Sequence, residues 1–340
     1  MHDVPYTGAK GVDVVGAILS AVGMGGVVLG ILVWQEGGEV VGALIAVGVV
    51  ALALLVWWLR RRKREGKPAL LDIDLFSSKY FRLGISGQTL QQIALGGMMI
   101  ALPIYLQMVL EYNALEAGLS LAPLSLTMFA IALLAGRKAG NRSPSRIILV
   151  GFMLLSAGVA VLIPIVPRAD SGWAMALPLA VAGAGLGLLV SQLNNYTLSP
   201  IEEERVSEAA GVNSAGGSFG LSFGLAFAGA IMLASLALVF TNMSDESDVL
   251  TTTQQEQVAD GLEENAEVMT NTELDELLEG QSPAVQEEIL EINEDSRPIA
   301  LQIALLIPLA AALLGLLNAF RMTRLPDPKP SAAAEGMMLG

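Results

Sequence analysis

Eight stretches of this chain are roughly 20 residues or longer and hold no Asp, Glu, Lys, Arg or His at their centres, the length needed to cross the apolar core of a bilayer. They run about Asp13–Trp34, Val40–Leu59, Phe81–Leu110, Ala117–Ala135, Ile147–Val166, Trp173–Leu193, Ser214–Phe240 and Pro298–Ala319. Lipid offers backbone N–H and C=O groups no partner, so a stretch of this length satisfies its own as a helix. The expected fold class is an all-α polytopic membrane protein with eight transmembrane helices. A hydrophobic content of 53% against 15% charged residues agrees.

The seventh stretch carries the clearest packing signal. In Asn213–Gly229, NSAGGSFGLSFGLAFAG, Gly216, Gly220 and Gly224 recur every four residues and Ala228 continues the row. That spacing sets all of them on one helix face, the flat stripe that lets two membrane helices approach backbone to backbone. Gly26 and Gly30 repeat the pattern on a smaller scale in the first stretch.

A net charge of −14 would suit an acidic soluble protein, but its distribution says otherwise. Of 33 acidic residues, 17 lie between Thr241 and Arg297 against one basic residue, Arg297, which leaves the rest slightly basic. With eight spans, 17 of the 19 basic residues share one side of the membrane, and only Arg168 and Arg297 lie opposite. By the positive-inside rule both termini are cytoplasmic, in a plasma (cytoplasmic) membrane. Thr241–Arg297 is then an outer segment. Val258 and Leu262, and later Val285, Ile289 and Ile292, keep helical spacing there, which suggests two or three short amphipathic helices.

Cys is absent and the one His is His2, so disulfides, thiolate chemistry and a His-based triad within this chain are excluded. There is no HExxH, no Ser/His/Asp set and no EF-hand loop; no enzyme activity, cofactor or metal site is expected. The basic run Arg60–Lys67 reads as an anchor against the lipid bilayer. The sharper alternatives, nucleic-acid or calmodulin-like binding, have no second feature behind them, and no nucleic-acid partner is expected. Leu70, Leu71, Ile73 and Phe76 suggest a short interfacial helix after Pro68. Asp13 reads as a helix N-cap, and Ser199-Pro200-Ile201-Glu202 as a capping box.

No ionisable side chain sits mid-span, where one would be expensive and functional. The remaining polar candidates are Gln88, Gln91, Gln92, Tyr105 and Gln107 in the third span, Gln192, Asn194 and Asn195 ending the sixth, and Asn213 entering the seventh. They either bond between helices or wall a wet cavity. Gln91, Met98 and Tyr105, at i, i+7 and i+14, fall on one face. Met98, Met99 and Met108 read either as an adaptable apolar wall or as core.

Three stretches resemble a known family: GVDVVGAILSAVGMGGVVLGILVWQEG, AGLSLAPLSLTMFAIALLAGRKAGNRSPSR and LSPIEEERVSEAAGVNSAGGSFGLSFGLAFAG. In this order and spacing, over about residues 13–325, the chain is similar to the C-terminal portion of a major facilitator superfamily transporter of the 14-helix drug:proton antiporter branch. The resemblance implies a cytoplasmic tail (1–12), two extra transmembrane helices (13–59), a basic linker (60–79), a six-helix half-bundle (80–320, with 241–297 as its acidic outer segment) and a second tail (321–340). It further implies proton-coupled efflux of small amphiphilic or cationic substrates by alternating access, with the coupling acid in an N-terminal six-helix bundle that this chain lacks. The chain would then be either a fragment of a longer protein or one chain of a split protein with an N-terminal half-transporter chain as its partner. The substrate cavity would then include Gln88, Gln91, Gln92, Met98, Tyr105, Gln192 and Asn195. Gly216, Gly220 and Gly224 would face the other bundle as a rocking surface, the alternative being that they pack within the same six helices. Gly136, Arg137 and Arg146 match the family's cytoplasmic gate loop, whereas Gly140 and Asn141 replace its Asp-Arg pair. The alternative is a non-transporting membrane protein whose acidic outer segment binds a partner.

Overall fold

The computed structural model describes residues 13–33, 38–67, 69–137, 143–169, 171–251 and 280–328, with Gln255, Leu274 and Leu278 besides. Eight long helices carry the fold: α1 (Val14–Leu32), α2 (Gly38–Arg64), α3 (Lys79–Met108), α4 (Ala114–Arg137), α5 (Pro144–Ile165), α6 (Ala176–Leu198), α7 (Val206–Asp245) and α8 (Pro283–Met322). All eight are long and apolar enough to cross a membrane, so the protein is a multi-pass membrane protein.

Local chemistry sets the ends. Asp13 caps α1 by accepting from the Gly16 N–H at 2.9 Å, as expected. α2 stops at Gly66, where φ is +63°. The Gly66 N–H bonds Lys63 O and the Lys67 N–H bonds Arg62 O, the paired closure that a left-handed residue after a helix makes possible. A capping box does form, but at Asn113 and Glu116. Asn113 Oδ1 accepts from the Leu115 and Glu116 N–H groups at 3.0 Å each, and Glu116 Oε2 accepts from the Asn113 N–H. The box expected at Ser199–Glu202 does not form: α6 runs to Leu198, Ser199 Oγ turns back to Asn195 Oδ1, and α7 starts only at Val206. The segment after Pro68 is a single 3-10 turn, Ile73–Ser77. It buries Leu75 against Phe81, Ile201 and Ala209 rather than laying its apolar side on lipid.

The helices α7 and α8 are 40 residues each, roughly 60 Å long at 1.5 Å per residue, about twice the apolar thickness of a bilayer. Their outer ends therefore project beyond it. There Val285, Ile289 and Ile292 of α8 pack with Phe240 and Leu250. The expected separate amphipathic helices are thus, for this part, continuations of the spans themselves. Arg297 and Pro298 lie inside α8 rather than before it, and Arg297 donates to Met108 O at 2.9 Å, fastening α8 to the end of α3. Val258 and Leu262 fall outside the described residues.

α3 is the central element, packed against α6, α7 and α8. Its tightest neighbour is α7. A Cβ on Gly220 would stand 2.5 Å from Thr89 O, one on Gly224 would collide with Ile93 O, and Gly216 faces Ile85. Thr89 Oγ1 also donates to Gly216 O at 3.2 Å. The Gly216/Gly220/Gly224 stripe therefore has its partner inside this chain. The expectation that it faces another bundle is corrected. Its spacing reports only that a helix comes close, and α3 is that helix. Similar approaches join α4 to α6 at Gly183 and Gly187, and α5 to α6 at Gly158 and Gly185.

α1 and α2 form a hairpin closed by Gly23, Gly26, Gly30 and Gly48, with a Cβ on Gly26 only 3.0 Å from Gly48 Cα. It touches the rest of the membrane part chiefly through α1 on α7. Polar bonds at one end hold it in place. Asp13, 4% exposed, accepts from Trp58 Nε1 of α2 at 2.9 Å and from the Leu70 N–H at 3.0 Å besides its own helix. Lys63 pairs with Asp72 and Asp74, Arg205 pairs with Asp72 at 3.1 Å, and Glu208 accepts from the Asp72 N–H. Burial pushes the Asp13 carboxyl up, but the bonds from Trp58, Gly16 and Leu70 and the nearby Arg62 outweigh it and hold it below its ordinary value.

Two outcomes follow from this packing. Gly220→Leu should destabilise the purified protein by about 1–3 kcal/mol or more, since overpacked cores cost that much, while Ser218→Leu, on an exposed position of the same helix, should leave the thermal midpoint unchanged. Asp13→Ala strands three donors, the Gly16 and Leu70 N–H groups and Trp58 Nε1, and should cost about 2–3 kcal/mol. Because the folded carboxyl lies below the unfolded one, its contribution is present at neutral pH and is lost as pH falls below about 4. An acid titration of Trp58 fluorescence checks this, with Asp13→Ala expected to flatten it.

Candidate functional site

On a helical wheel, Gln88 and Gln92 of α3 fall between Gly84, which meets Thr197 of α6, and Thr89 and Ile93, which meet α7. Both glutamines are half-buried. A Cβ on Gly217 of α7 would lie 3.4 Å from Gln88 Nε2 and 3.7 Å from Gln92 Cγ, so the pair flanks that glycine. α6 and α7 themselves hardly touch. Near one end they are joined by Asn213 Nδ2, which donates to Asn194 Oδ1 at 2.7 Å. The result is a cleft between α6 and α7 with α3 as its floor, two amides on that floor and an amide bridge at its mouth. Met99, two turns beyond Gln92 on the same side, is 41% exposed.

The other expected cavity residues do not reach this cleft. Gln91 is 1% exposed and Met98 and Tyr105 are equally enclosed. They do share a face, as their spacing requires, but it is the face turned into the core with Ala94, Ala101 and Leu102. The Tyr105 hydroxyl donates to Val166 O at 3.2 Å. Gln192 is fully buried, two turns along α6 from Gly185, which packs on Leu155 of α5. Asn195 is half-buried and accepts from Ser199 at the end of α6, while its neighbour Asn194 makes the bridge. Gln107 turns back on its own helix, donating to Pro103 O. Periodicity identified a common face in each case, but only tertiary packing decides whether that face meets core or cleft.

Four amide oxygens, Gln91 Oε1, Gln92 Oε1, Gln192 Oε1 and Asn213 Oδ1, are buried without a hydrogen-bond partner. An unmet buried acceptor costs about 1–3 kcal/mol, so these are high-energy positions, and two of them, on Gln92 and Asn213, border the cleft. Among the described residues no group of three or more His, Asp or Glu side chains converges to hold a metal ion.

The residues that match the family's gate loop in sequence lie at one end of the bundle. Gly136 is exposed near the end of α4, Arg137 is its last residue, and Arg146 is exposed in the first turn of α5. Gly140 and Asn141 lie outside the described residues. One contact here has no sequence signal: the segment after α8 folds back across the bundle. Asp327 Oδ1 accepts from Ser145 Oγ at 2.8 Å and from the Ser145 N–H at 3.4 Å, and Tyr80 donates to Pro326 O. Ser143 makes no side-chain cap for α5, so Asp327 supplies a carboxylate at that helix's positive end from about 180 residues away.

The family profile of the Major Facilitator Superfamily matches residues 9–225, and the chain belongs to that superfamily. Its relatives include the probable actinorhodin transporter of Streptomyces coelicolor, 24% identical over 208 residues, covering 60% of this chain and 35% of that protein. The putative multidrug resistance protein MdtD of Klebsiella pneumoniae is 30% identical over 201 residues, covering 57% and 41%. A multidrug resistance protein B homolog of Mycobacterium tuberculosis is 29% identical over 177 residues, covering 51% and 33%. The chain thus spans well under two thirds of the length of these relatives.

Proposed function

We propose that the chain is the C-terminal portion of an efflux transporter that works by alternating access with a second six-helix bundle. The observation that carries this reading is the cleft between α6 and α7, floored by Gln88 and Gln92 and bridged by Asn194 and Asn213, in a chain of this superfamily. Uncharged amides, with the Gln92 and Asn213 oxygens left unmet, suit small amphiphilic or cationic molecules, which they orient without the desolvation cost of a buried ion pair. The relatives' names, multidrug resistance and antibiotic transport, point the same way.

The complementary wall of the cavity would come from the second bundle. With Gly216, Gly220 and Gly224 committed to α3, the face of α7 left for it holds Gly211, Ser214, Ala215, Ser218 and Ser222, all exposed. Small and hydroxyl side chains suit a helix that must slide against another. Proton coupling would rest on an acid in the second bundle, since no Asp, Glu, Lys, Arg or His lies at mid-depth in the described spans. The basic ends of α2, α4 and α8 support a reading with both termini on the cytoplasmic side of the plasma membrane.

The test is expression in cells lacking their own efflux pumps, with proton-dependent dye export as the readout. The chain alone should export at background. Together with an N-terminal bundle of a relative it should export, and Gln88→Leu with Gln92→Leu should lower that rate by about tenfold, as for lost hydrogen bonds to substrate. Robust export by the chain alone would contradict the reading.

A further inference from the structure

The basic run that ends α2 is sorted by the fold into two sets. One set is spent on the protein. Lys63 pairs with Asp72 and Asp74. Arg61 and Lys67 both pair with Glu65, at 2.9 Å and 2.7 Å, and together hold its carboxyl down to about 2. Arg62 lies over the Trp58 ring, beside the buried Asp13. The other set is Arg60 and Arg64. Both are exposed, and no carboxylate among the described residues pairs with either.

These two arginines complete a stripe. Gly48, Ala51, Leu55, Leu59 and Arg62 follow one another at three- and four-residue steps on the side of α2 that carries its buried residues and its contact with α1. Val50, Ala53, Trp57, Arg60 and Arg64 do the same on the opposite side. Val50 is 56% exposed and Trp57 54%, and the Trp57 ring carries the Arg61 guanidinium 5.5 Å from its centroid. From the middle of the membrane outward the stripe thus reads aliphatic, indole, then two guanidinium groups one turn apart. A phospholipid has the same order: acyl chain, ester and glycerol region, then phosphate. Indoles favour that interfacial depth, and guanidinium bonds phosphate oxygens in pairs.

We propose that Trp57, Arg60 and Arg64 form a binding site for the phosphodiester headgroup of an anionic phospholipid in the leaflet at that end of α2. The lipid's acyl chain lies along Val50 and Ala53, and the two arginines neutralise a headgroup whose net charge is negative, which a zwitterionic lipid does not offer. The site would fix the depth and tilt of the α1–α2 hairpin, whose own polar ties to the bundle lie at the same end.

The experiment uses the whole purified chain in micelles holding equimolar phosphatidylglycerol and phosphatidylcholine, with native mass spectrometry counting the lipids retained. The wild type should keep phosphatidylglycerol preferentially. Arg60→Gln with Arg64→Gln should reduce that preference by about tenfold or more, from the attraction of two arginines at a membrane surface. Lys63→Gln with Lys67→Gln removes the same formal charge from residues already paired with Asp72, Asp74 and Glu65, and should keep the preference. Equal loss in both double variants would overturn the site in favour of diffuse charge attraction, as would an unchanged preference in the first. Soluble glycerol phosphate at equal phosphate concentration should not displace the lipid; displacement would assign the arginines to a free anion instead.

Discussion

The approach of α3 and α7 is the contact on which the rest of the architecture depends. Two helix backbones can come this close only where no side chain intervenes, and Gly220 and Gly224 leave the carbonyls of Thr89 and Ile93 room that even a methyl group would fill. Membrane helices gain little from the hydrophobic effect when they pair, because lipid is as apolar as they are; close packing and interhelical hydrogen bonds supply the attraction. Thr89 bonding to Gly216 O adds one such bond within the same seam. With α7 drawn onto one side of α3 and α6 held on the other by Gly84 and Gly87, α6 and α7 are kept apart. The cleft is the gap that this separation leaves.

Much of this was written in the chain in readable form. Span number follows from length and hydropathy, and the four-residue glycine spacing correctly signals a close helix contact. Two other things were not readable. A small-residue stripe does not name its partner, so Gly216, Gly220 and Gly224 suited a second bundle as well as α3. Nor does a polar residue on a helix disclose whether its face meets core or cleft: Gln91 and Gln92 are adjacent, yet one is sealed and the other borders the groove. Contacts made by residues far apart in the chain were equally hidden. Asp327 at the start of α5 and Arg297 at the end of α3 depend on the whole bundle being assembled.

The hairpin α1–α2 and the outer extension of α7 and α8 show how the same bundle is built outward at both ends. At one end a buried carboxylate, Asp13, collects donors from α1, α2 and the linker, and an ion-pair chain through Lys63, Asp72 and Arg205 reaches α7. At the other end the helices simply continue, and Val285, Ile289 and Ile292 give the acidic extension a small apolar core of its own. Both additions converge on α7, the helix whose remaining exposed face holds serine, alanine and glycine. Any movement of α7 would therefore carry the hairpin and this extension with it.

The absence of cysteine makes single-cysteine labelling the most direct test of the cleft. Gln88→Cys, Gln91→Cys, Gln92→Cys and Met98→Cys can each be challenged with a membrane-impermeant maleimide in inside-out vesicles. An amide-floored cleft open to water requires labelling at 88 and 92 and silence at 91 and 98. Labelling at 91 and 98, or inertness at all four, would show that α3 presents a different face to the cavity from the one described.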